Sequence, residues 1–354
     1  MTFALLLPAL LLAPLLALVS ALAVRAMIAR PILDHPDARK AHARPTPKGG
    51  GVGPVLAFVL GVLAFAFLVP ADGRALGVVL AALAIAAVAL ADDLRDFRFT
   101  VKLAAQALAG LVAMGTGLVL ERLSLPWIGP VELGPLGLPL TLLWIVGCTN
   151  AVNFLDGMDG LVAGVVLIAG LALALIAARE GGAFIFVAAL CLAAGFAGFL
   201  PFNLPPARIF MGDVGSQFAG FMLAVLAVAA AGFEASQVSF LIVPLLLFGL
   251  LWDAGFTLAR RALAGERVSE AHRSHLYQMA ARAGVPGRAV MAAHWGFALF
   301  HAALALVFLA LPAEAKPFIV LPALFVQLGW TGFVLRRMRQ AGIGFRAPPG
   351  CPAP

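Results

Sequence analysis

Apolar positions run along this chain in long blocks instead of alternating with polar ones. Stretches of roughly 17 to 21 residues, rich in Leu, Ala, Val and Phe, are separated by short segments holding Gly, Pro, Asp, Arg or His. About 20 such residues in a helix cross a hydrocarbon layer of roughly 30 Å, and a helix satisfies its own backbone hydrogen bonds there. The pattern predicts eleven spanning helices, near 3–24, 52–70, 75–91, 101–119, 138–153, 161–178, 183–200, 216–233, 239–259, 293–312 and 317–335. The first block has the position of a leader peptide. It lacks a basic start and a small-residue cleavage site before Arg25, and is read as a span. The expected fold is all-α and polytopic, with one transmembrane domain over 1–340 and a tail, 341–354, expected to be disordered.

Composition agrees with that reading. The 354 residues are 63% hydrophobic and 12% charged, against roughly 25% charged in soluble domains. The segments between spans are too short for a soluble domain with its own core. One of them, ERLSLPWIGPVELGPLG at 121–137, has apolar stretches around Gly-Pro that suit a small hairpin on the membrane surface. Cys148 and Cys191 fall within spans and Cys351 in the tail, which argues against a disulfide framework.

Of 24 Lys and Arg residues, 20 fall in 25–48, 92–102, 201–213, 260–292 and the tail, while Arg74, Arg122, Arg179 and Lys316 lie in the opposite loops. Basic loops stay cytoplasmic, so the N-terminus is expected outside and the C-terminus in the cytoplasm. Arg336, Arg337 and Arg339 read as an anchor for the last span. The net charge of +7 follows from this topology, with attraction to anionic headgroups or a phosphorylated ligand, and calls for no nucleic-acid partner.

Acidic residues concentrate on the same basic side, in ADDLRDFR (91–98), NAVNFLDGMDG (150–160) and FMGDVGS (210–216). Each has a structural reading: Asp92, Asp93 and Asp96 as a solvated helix end, Asp156 and Asp159 as turn residues, Asp213 as an N-cap. Jointly they ask for more. An aspartate at a helix centre costs about 2.5–3.5 kcal/mol on insertion scales, so the set must line the interface or a wet cavity. Carboxylates gathered among basic loops point to a bound cation, and an oxygen-only set points to Mg²⁺, with Mn²⁺ the alternative.

Mg²⁺ completes its shell with water and phosphate oxygens, which implies phosphate chemistry. Lys40 and His42, in the basic Gly-rich stretch 33–53, are candidate phosphate contacts. Gly212 and Gly215 would let backbone N–H groups meet an anion at a helix start. Lys102, one turn from Gln106, either meets a phosphate or snorkels. Asp253 is either a functional group or an ion-pair partner of Arg260 or Lys102. His294 and His301 share a helix face and read as polar contacts between helices.

Five segments in order, DHPDARKAHARPTPKGG, DDLRD, NAVNFLDGMDGL, NLPPARIFMGDVGS and HRSHLYQ, resemble the polyprenyl-phosphate N-acetylhexosamine-1-phosphate transferases. The resemblance implies transfer of a sugar-1-phosphate from a UDP-sugar to undecaprenyl phosphate, with release of UMP. It also implies a site facing the cytoplasm, in a protein embedded among the lipids of a bacterial inner membrane. Carried over by resemblance, Asp213 ligates Mg²⁺ with Asn153, and Asp92 and Asp93 serve the lipid phosphate, Asp92 as base or nucleophile. Phe210 stacks on uracil, and Asn153, Asp156, Gly157 and Asp159 line the nucleotide pocket. His272 and His275 hold the pyrophosphate, and Asn150, Asn203 and Arg273 complete the substrate contacts.

Asp96 stands where pentapeptide translocases of this family carry Lys, and HRSH replaces their adjacent histidines. Both features argue against transfer of a peptidoglycan precursor, and the form HRSHLYQ resembles the subgroup that starts O-antigen or related surface polysaccharides, which leaves GlcNAc, N-acetylfucosamine and N-acetylquinovosamine open, as it does a homodimer. The competing reading is a multipass transporter or lipid flippase. Carboxylates at one face, without a half-chain repeat, weigh against it.

Overall fold

The apolar blocks fold as helices, and the first of them runs through Pro8 and Pro14. The computed structural model describes residues 3–34, 45–66, 73–125, 128–232, 238–267 and 272–345. Among these lie thirteen α-helices: α1 (Phe3–Ala29), α2 (Val52–Phe65), α3 (Gly73–Arg95), α4 (Phe99–Gly115), α5 (Gly137–Leu155), α6 (Leu161–Glu180), α7 (Ala183–Asn203), α8 (Gly212–Gly232), α9 (Ile242–Leu246), α10 (Phe248–Leu263), α11 (Leu276–Arg282), α12 (Gly287–Ala310) and α13 (Val320–Gln340). Eight of them, α1, α3, α5, α6, α7, α8, α12 and α13, are long and apolar enough to cross a membrane. The protein is an all-α, polytopic membrane protein.

Each of the eleven expected segments overlaps a helix, but three differ from a full span. Block 52–70 yields α2, 14 residues long, and block 101–119 yields α4, 17 residues long. Helix α4 stops before Gly117, whose φ of 92° lies outside right-handed helical geometry. Block 239–259 divides at Leu247, where ψ of 6° interrupts the helix between α9 and α10.

Helix α8 is the centre of the bundle. Of its apolar window 94% is buried inside the protein, against 22% for α1 and α13, which face outward. It packs against α3 and α5, while α7 packs against α1, α2 and α6. Between apolar helices in lipid, close packing supplies much of the attraction, and small residues permit it. A Cβ on Gly220 would lie 2.8 Å from the Thr149 backbone on α5, and one on Gly51, at the start of α2, would lie 2.2 Å from the Gly215 Cα on α8.

Two antiparallel ribbons complete the described structure. The hairpin expected at 121–137 is present as β3 (Arg122–Leu125) against β4 (Gly129–Glu132). The other, β1 (Ile32–Asp34) against β2 (Thr46–Lys48), had no signal in the apolar pattern. It flanks the basic stretch, and Lys40 and His42 lie outside the described residues.

The Gly51–Gly215 contact is backbone against backbone and has no side chain to yield. Gly51→Ala is expected to lower bundle stability by about 1–3 kcal/mol, as overpacking does. Gly296→Ala, where an added Cβ meets nothing within 4 Å, should change it by less than about 1 kcal/mol. Thermal melts of the two variants in detergent check the contrast.

Candidate active site

The last turn of α3 puts two adjacent carboxylates to different uses. Asp93 reaches the start of α8, where its Oδ1 and Oδ2 accept the Asp213 and Val214 backbone N–H groups, each at 3.1 Å. The first N–H groups of a helix have no partner within it, and a carboxylate there also meets the positive end of the helix dipole. The anion at this helix start is therefore Asp93 itself, which corrects the expectation that these N–H groups are open to a phosphate. Gly212, with φ of 73°, makes the fit possible: a Cβ there would lie 2.5 Å from Asp93 Oδ2.

Asp92 faces the other way. Its Oδ1 accepts the Phe97 N–H at 2.6 Å, and its Oδ2 pairs with Lys102 Nζ at 2.5 Å. The same ammonium lies 2.9 Å from Asp213 Oδ2. Lys102 thus neither snorkels nor pairs with Asp253; it joins the end of α3 to the start of α8. Asp213 also accepts hydrogen bonds from the Asn153 amide at 3.1 Å and the Gln217 amide at 3.0 Å. Gln217 continues to Gln106, and Gln106 to Asn150.

The link between α5 and α6 forms the next wall. Asp159 Oδ2 accepts the Ala207 N–H at 2.9 Å, and Asn203 clamps two loops by accepting the Gly160 N–H and donating to the Ile209 carbonyl. Asp156 closes the C-terminus of α5. Burial first, then repulsion from Asp213, Asp93 and Asp159, holds its carboxyl well above the usual range.

Asp253 on α10 repeats the device used by Asp93. Its two oxygens accept the Leu276 and Tyr277 N–H groups at the start of α11, at 2.9 and 3.0 Å, and Oδ1 also meets His275 Nδ1 at 3.0 Å. It pairs with neither Arg260 nor Lys102. The His272 ring lies 4.9 Å from that of His275. Burial, with the neighbouring His275, Arg261 and Arg260 charges, pushes His272 down to about 4.

These elements enclose a cleft of about 640 Å³. Asp92, Asp93, Asp156, Asp159 and Asp213 line it together with Lys102, Asn153, Gly157, Asn203, Phe210 and Arg273. Helix ends far apart in sequence therefore meet at one face. Asp34, Lys48, Asp96, Ser216, Gln278 and Arg288 line it too. Of these, Ser216 accepts a hydrogen bond from Asn153 at 2.9 Å. Arg288, at the first turn of α12, lacked any sequence signal separating it from an ordinary helix-start arginine.

Some expected substrate contacts fall elsewhere. Asn150, His272 and His275 do not line this cleft; Asn150 is bonded to Gln106 and the Val146 carbonyl, His272 to Ser274, and His275 to Asp253. Asn203 lines the cleft, but its amide is engaged by backbone. Gly50 and Gly51, in the basic stretch, give their N–H groups to the Phe210 and Met211 carbonyls, so they pack α2 on the α8 approach instead of cradling an anion. His294 bonds within its own helix to the Val290 carbonyl, and His301 packs edge-on to Phe248, so neither ring links helices through a hydrogen bond.

Among the described residues no three His, Cys, Asp or Glu side chains converge as an all-protein metal cage. The expected convergence of five aspartates on one ion therefore takes a looser form, in which Asp92 and Asp213 alone share one cation, the Lys102 ammonium. That arrangement still fits Mg²⁺, which binds through one or two carboxylates and leaves its other positions to water and phosphate. Asn153 turns its amide nitrogen to Asp213, leaving Oδ1 as the atom able to ligate.

The fold and cleft define a multipass membrane protein with a carboxylate-lined cavity among its helix ends, and comparison with known proteins gives its family. Residues 75–231 match glycosyl transferase family 4. Over 247 residues the chain is 33% identical to a probable undecaprenyl-phosphate N-acetylglucosaminyl 1-phosphate transferase of Bacillus subtilis, covering 69% of this chain and 68% of that one. It is 33% identical over 290 residues to decaprenyl-phosphate N-acetylglucosaminephosphotransferase of Mycobacterium leprae, covering 73% and 72%. Over 108 residues it is 44% identical to phospho-N-acetylmuramoyl-pentapeptide-transferase of Lacticaseibacillus paracasei, covering 30% and 34%. The chain belongs to glycosyl transferase family 4.

His272 supplies a pH test. Between about 4, its value in the folded chain, and its ordinary 6.5, the unfolded chain binds more protons than the native one, so stability rises with pH across that window. His272 stabilisation is complete above 6.5 and lost as pH falls through the window. In thermal melts from pH 4.5 to 7, roughly the range set by these values, His272→Gln should lose less stability on acidification than the parent; equal losses would contradict the assignment.

Proposed function

We propose that this protein transfers an N-acetylhexosamine-1-phosphate from a UDP-sugar to undecaprenyl phosphate at the cytoplasmic face of a bacterial inner membrane, with Mg²⁺. An oxygen of the lipid phosphate attacks the sugar-bearing phosphorus. The new P–O bond forms as the bond to the UMP phosphate breaks, and UMP leaves with that electron pair. The product is a lipid-linked pyrophosphoryl sugar. The observation that carries this reading is the shared cation of Asp92 and Asp213 at the floor of a cleft whose lining includes Lys48, Arg273 and Arg288.

Metal bound at Asp213 and the Asn153 Oδ1 would draw charge from the transferring phosphoryl group. The chain's own groups do the rest. Asp93 fixes the start of α8 and with it Asp213. Asp92 orients the acceptor phosphate or takes its last proton, a group already largely ionised near neutral pH. Phe210 offers a ring for the uracil, beside Asp156 and Asp159. Positioning and charge stabilisation are the main sources of rate in phosphoryl transfer. The names of the Bacillus and Mycobacterium relatives support the polyprenyl phosphate acceptor, and all three names support an N-acetylated sugar.

The 20 basic residues that fall in the same set of loops as the acidic clusters support the cytoplasmic orientation. Asp96 and the HRSH segment support a start of O-antigen or a related surface polysaccharide, with GlcNAc the first sugar to try.

Purified protein given UDP-GlcNAc, undecaprenyl phosphate and Mg²⁺ should release UMP. Asp213→Ala and Asp92→Asn should each reduce that rate by roughly 10²-fold or more. Lack of UMP release across a panel of UDP-N-acetylhexosamines would sink the proposal, and sugar-lipid movement across vesicles without UMP would favour transport.

A further inference from the structure

The ammonium of Lys102 occupies a place that two carboxylates from different helices both reach. Its Nζ lies 2.5 Å from Asp92 Oδ2 and 2.9 Å from Asp213 Oδ2. The remaining side-chain partners of Asp213, Asn153 and Gln217, are neutral amides. Among the described residues, Lys102 is thus the positive charge paired with both acids. A divalent ion ligated by Asp213 would sit about 2.0–2.1 Å from its carboxylate oxygen, close to the ammonium that now stands 2.9 Å from Oδ2, and the two cations would repel each other.

From this geometry we infer that Lys102 is the resting occupant of the divalent cation's position, and that the arriving cation displaces its ammonium from between Asp92 and Asp213. The inference rests on the reading that the cleft takes a divalent ion. Lysine suits an exchangeable counter-ion: its charge is a hydrated point on a flexible four-carbon stem, whereas an arginine fork would lock both carboxylates in fixed geometry. The Lys102 side chain is 28% exposed, on the cleft side, so it has somewhere to go. The resting pair keeps α3 and α8 joined while no metal is bound, and the freed ammonium remains in the cleft, which takes phosphate-bearing substrates.

Lys102 is one of four lysines in the chain, with Lys40, Lys48 and Lys316, which makes the exchange measurable in the unmodified protein. Detergent-solubilised protein is treated with a small amine-acylating reagent, with and without Mg²⁺ and without substrates, and labelling is quantified by mass spectrometry against Lys316. Lys102 should be protected without metal and labelled severalfold faster with Mg²⁺. Separately, Mn²⁺ titrated into Lys102→Met, followed by electron paramagnetic resonance, should bind about tenfold more tightly than in the parent, as when a resting state holding nine-tenths of the population is removed.

Unchanged or decreased Lys102 labelling with Mg²⁺ overturns the exchange, as does Mn²⁺ binding no tighter in a folded Lys102→Met. If that variant does not fold, the labelling of the parent decides alone. UMP release that depends on Mg²⁺ without a labelling change would defeat the exchange and leave the transferase standing. A labelling change without UMP release from any UDP-sugar would do the reverse.

Discussion

A carboxylate carried to the edge of a membrane bundle must find donors within the protein, because lipid offers none and burial of an unpaired charge costs several kcal/mol. The geometry of the cleft follows from how each aspartate meets that demand. Asp93 takes two N–H groups at the start of α8. Asp253 takes two at the start of α11 and the His275 ring nitrogen. Asp92 and Asp213 share an ammonium. In the two capping cases a helix end that would otherwise hold orphan donors becomes a fixed partner, so one contact satisfies the acid and sets where the next helix begins.

Those caps have consequences for the chemistry. Because Asp93 fixes the first turn of α8, the next side chain, Asp213, is held over the cleft beside Lys102 and Asn153. Asp156, by contrast, has no such cap, and its proton is held by burial and by neighbouring carboxylates. The cleft thus contains acids whose oxygens are engaged by the protein and one, Asp156, that keeps its proton. The first kind holds helix ends together, and the second adds no further negative charge to a cleft already lined by Asp92, Asp93, Asp159 and Asp213.

Much of the site was legible before any coordinates. NAVNFLDGMDG, DDLRD and FMGDVGS stand out as polar clusters because the surrounding spans contain almost none, and their aspartates do share a cleft. The hairpin at 121–137 was legible from its apolar stretches around Gly-Pro, although Gly129 and Pro130 open β4 and pair with Leu125 and Ser124. Less legible were the uses of individual polar atoms. Asn150 and Asn203 look in the sequence like Asn153, yet Asn150 closes a relay with Gln106 and Asn203 clamps two loops. Gly212 and Gly215 look like an anion cradle, yet Gly212 admits Asp93 and Gly215 lets Gly51 at the start of α2 approach α8. Identity and spacing do not say which neighbour a polar atom will find when that neighbour lies 44 residues away, as for Asn150 and Gln106, or 43, as for Asn203 and Gly160.

The sequence by itself determined that the chain crosses a membrane several times as helices, and that its acidic clusters fall at helix ends. Those properties are local: apolar length fixes a helix in lipid, and the cost of submerging a carboxylate keeps it near an end. Tertiary structure alone decided which ends meet, that α9 and α10 part at Leu247, and that Lys102 joins Asp92 to Asp213 while Asp253 turns to His275. Those outcomes depend on helix packing and on competition among several cations for several acids, and pairings of that kind are settled by distance in space, which a linear pattern does not contain.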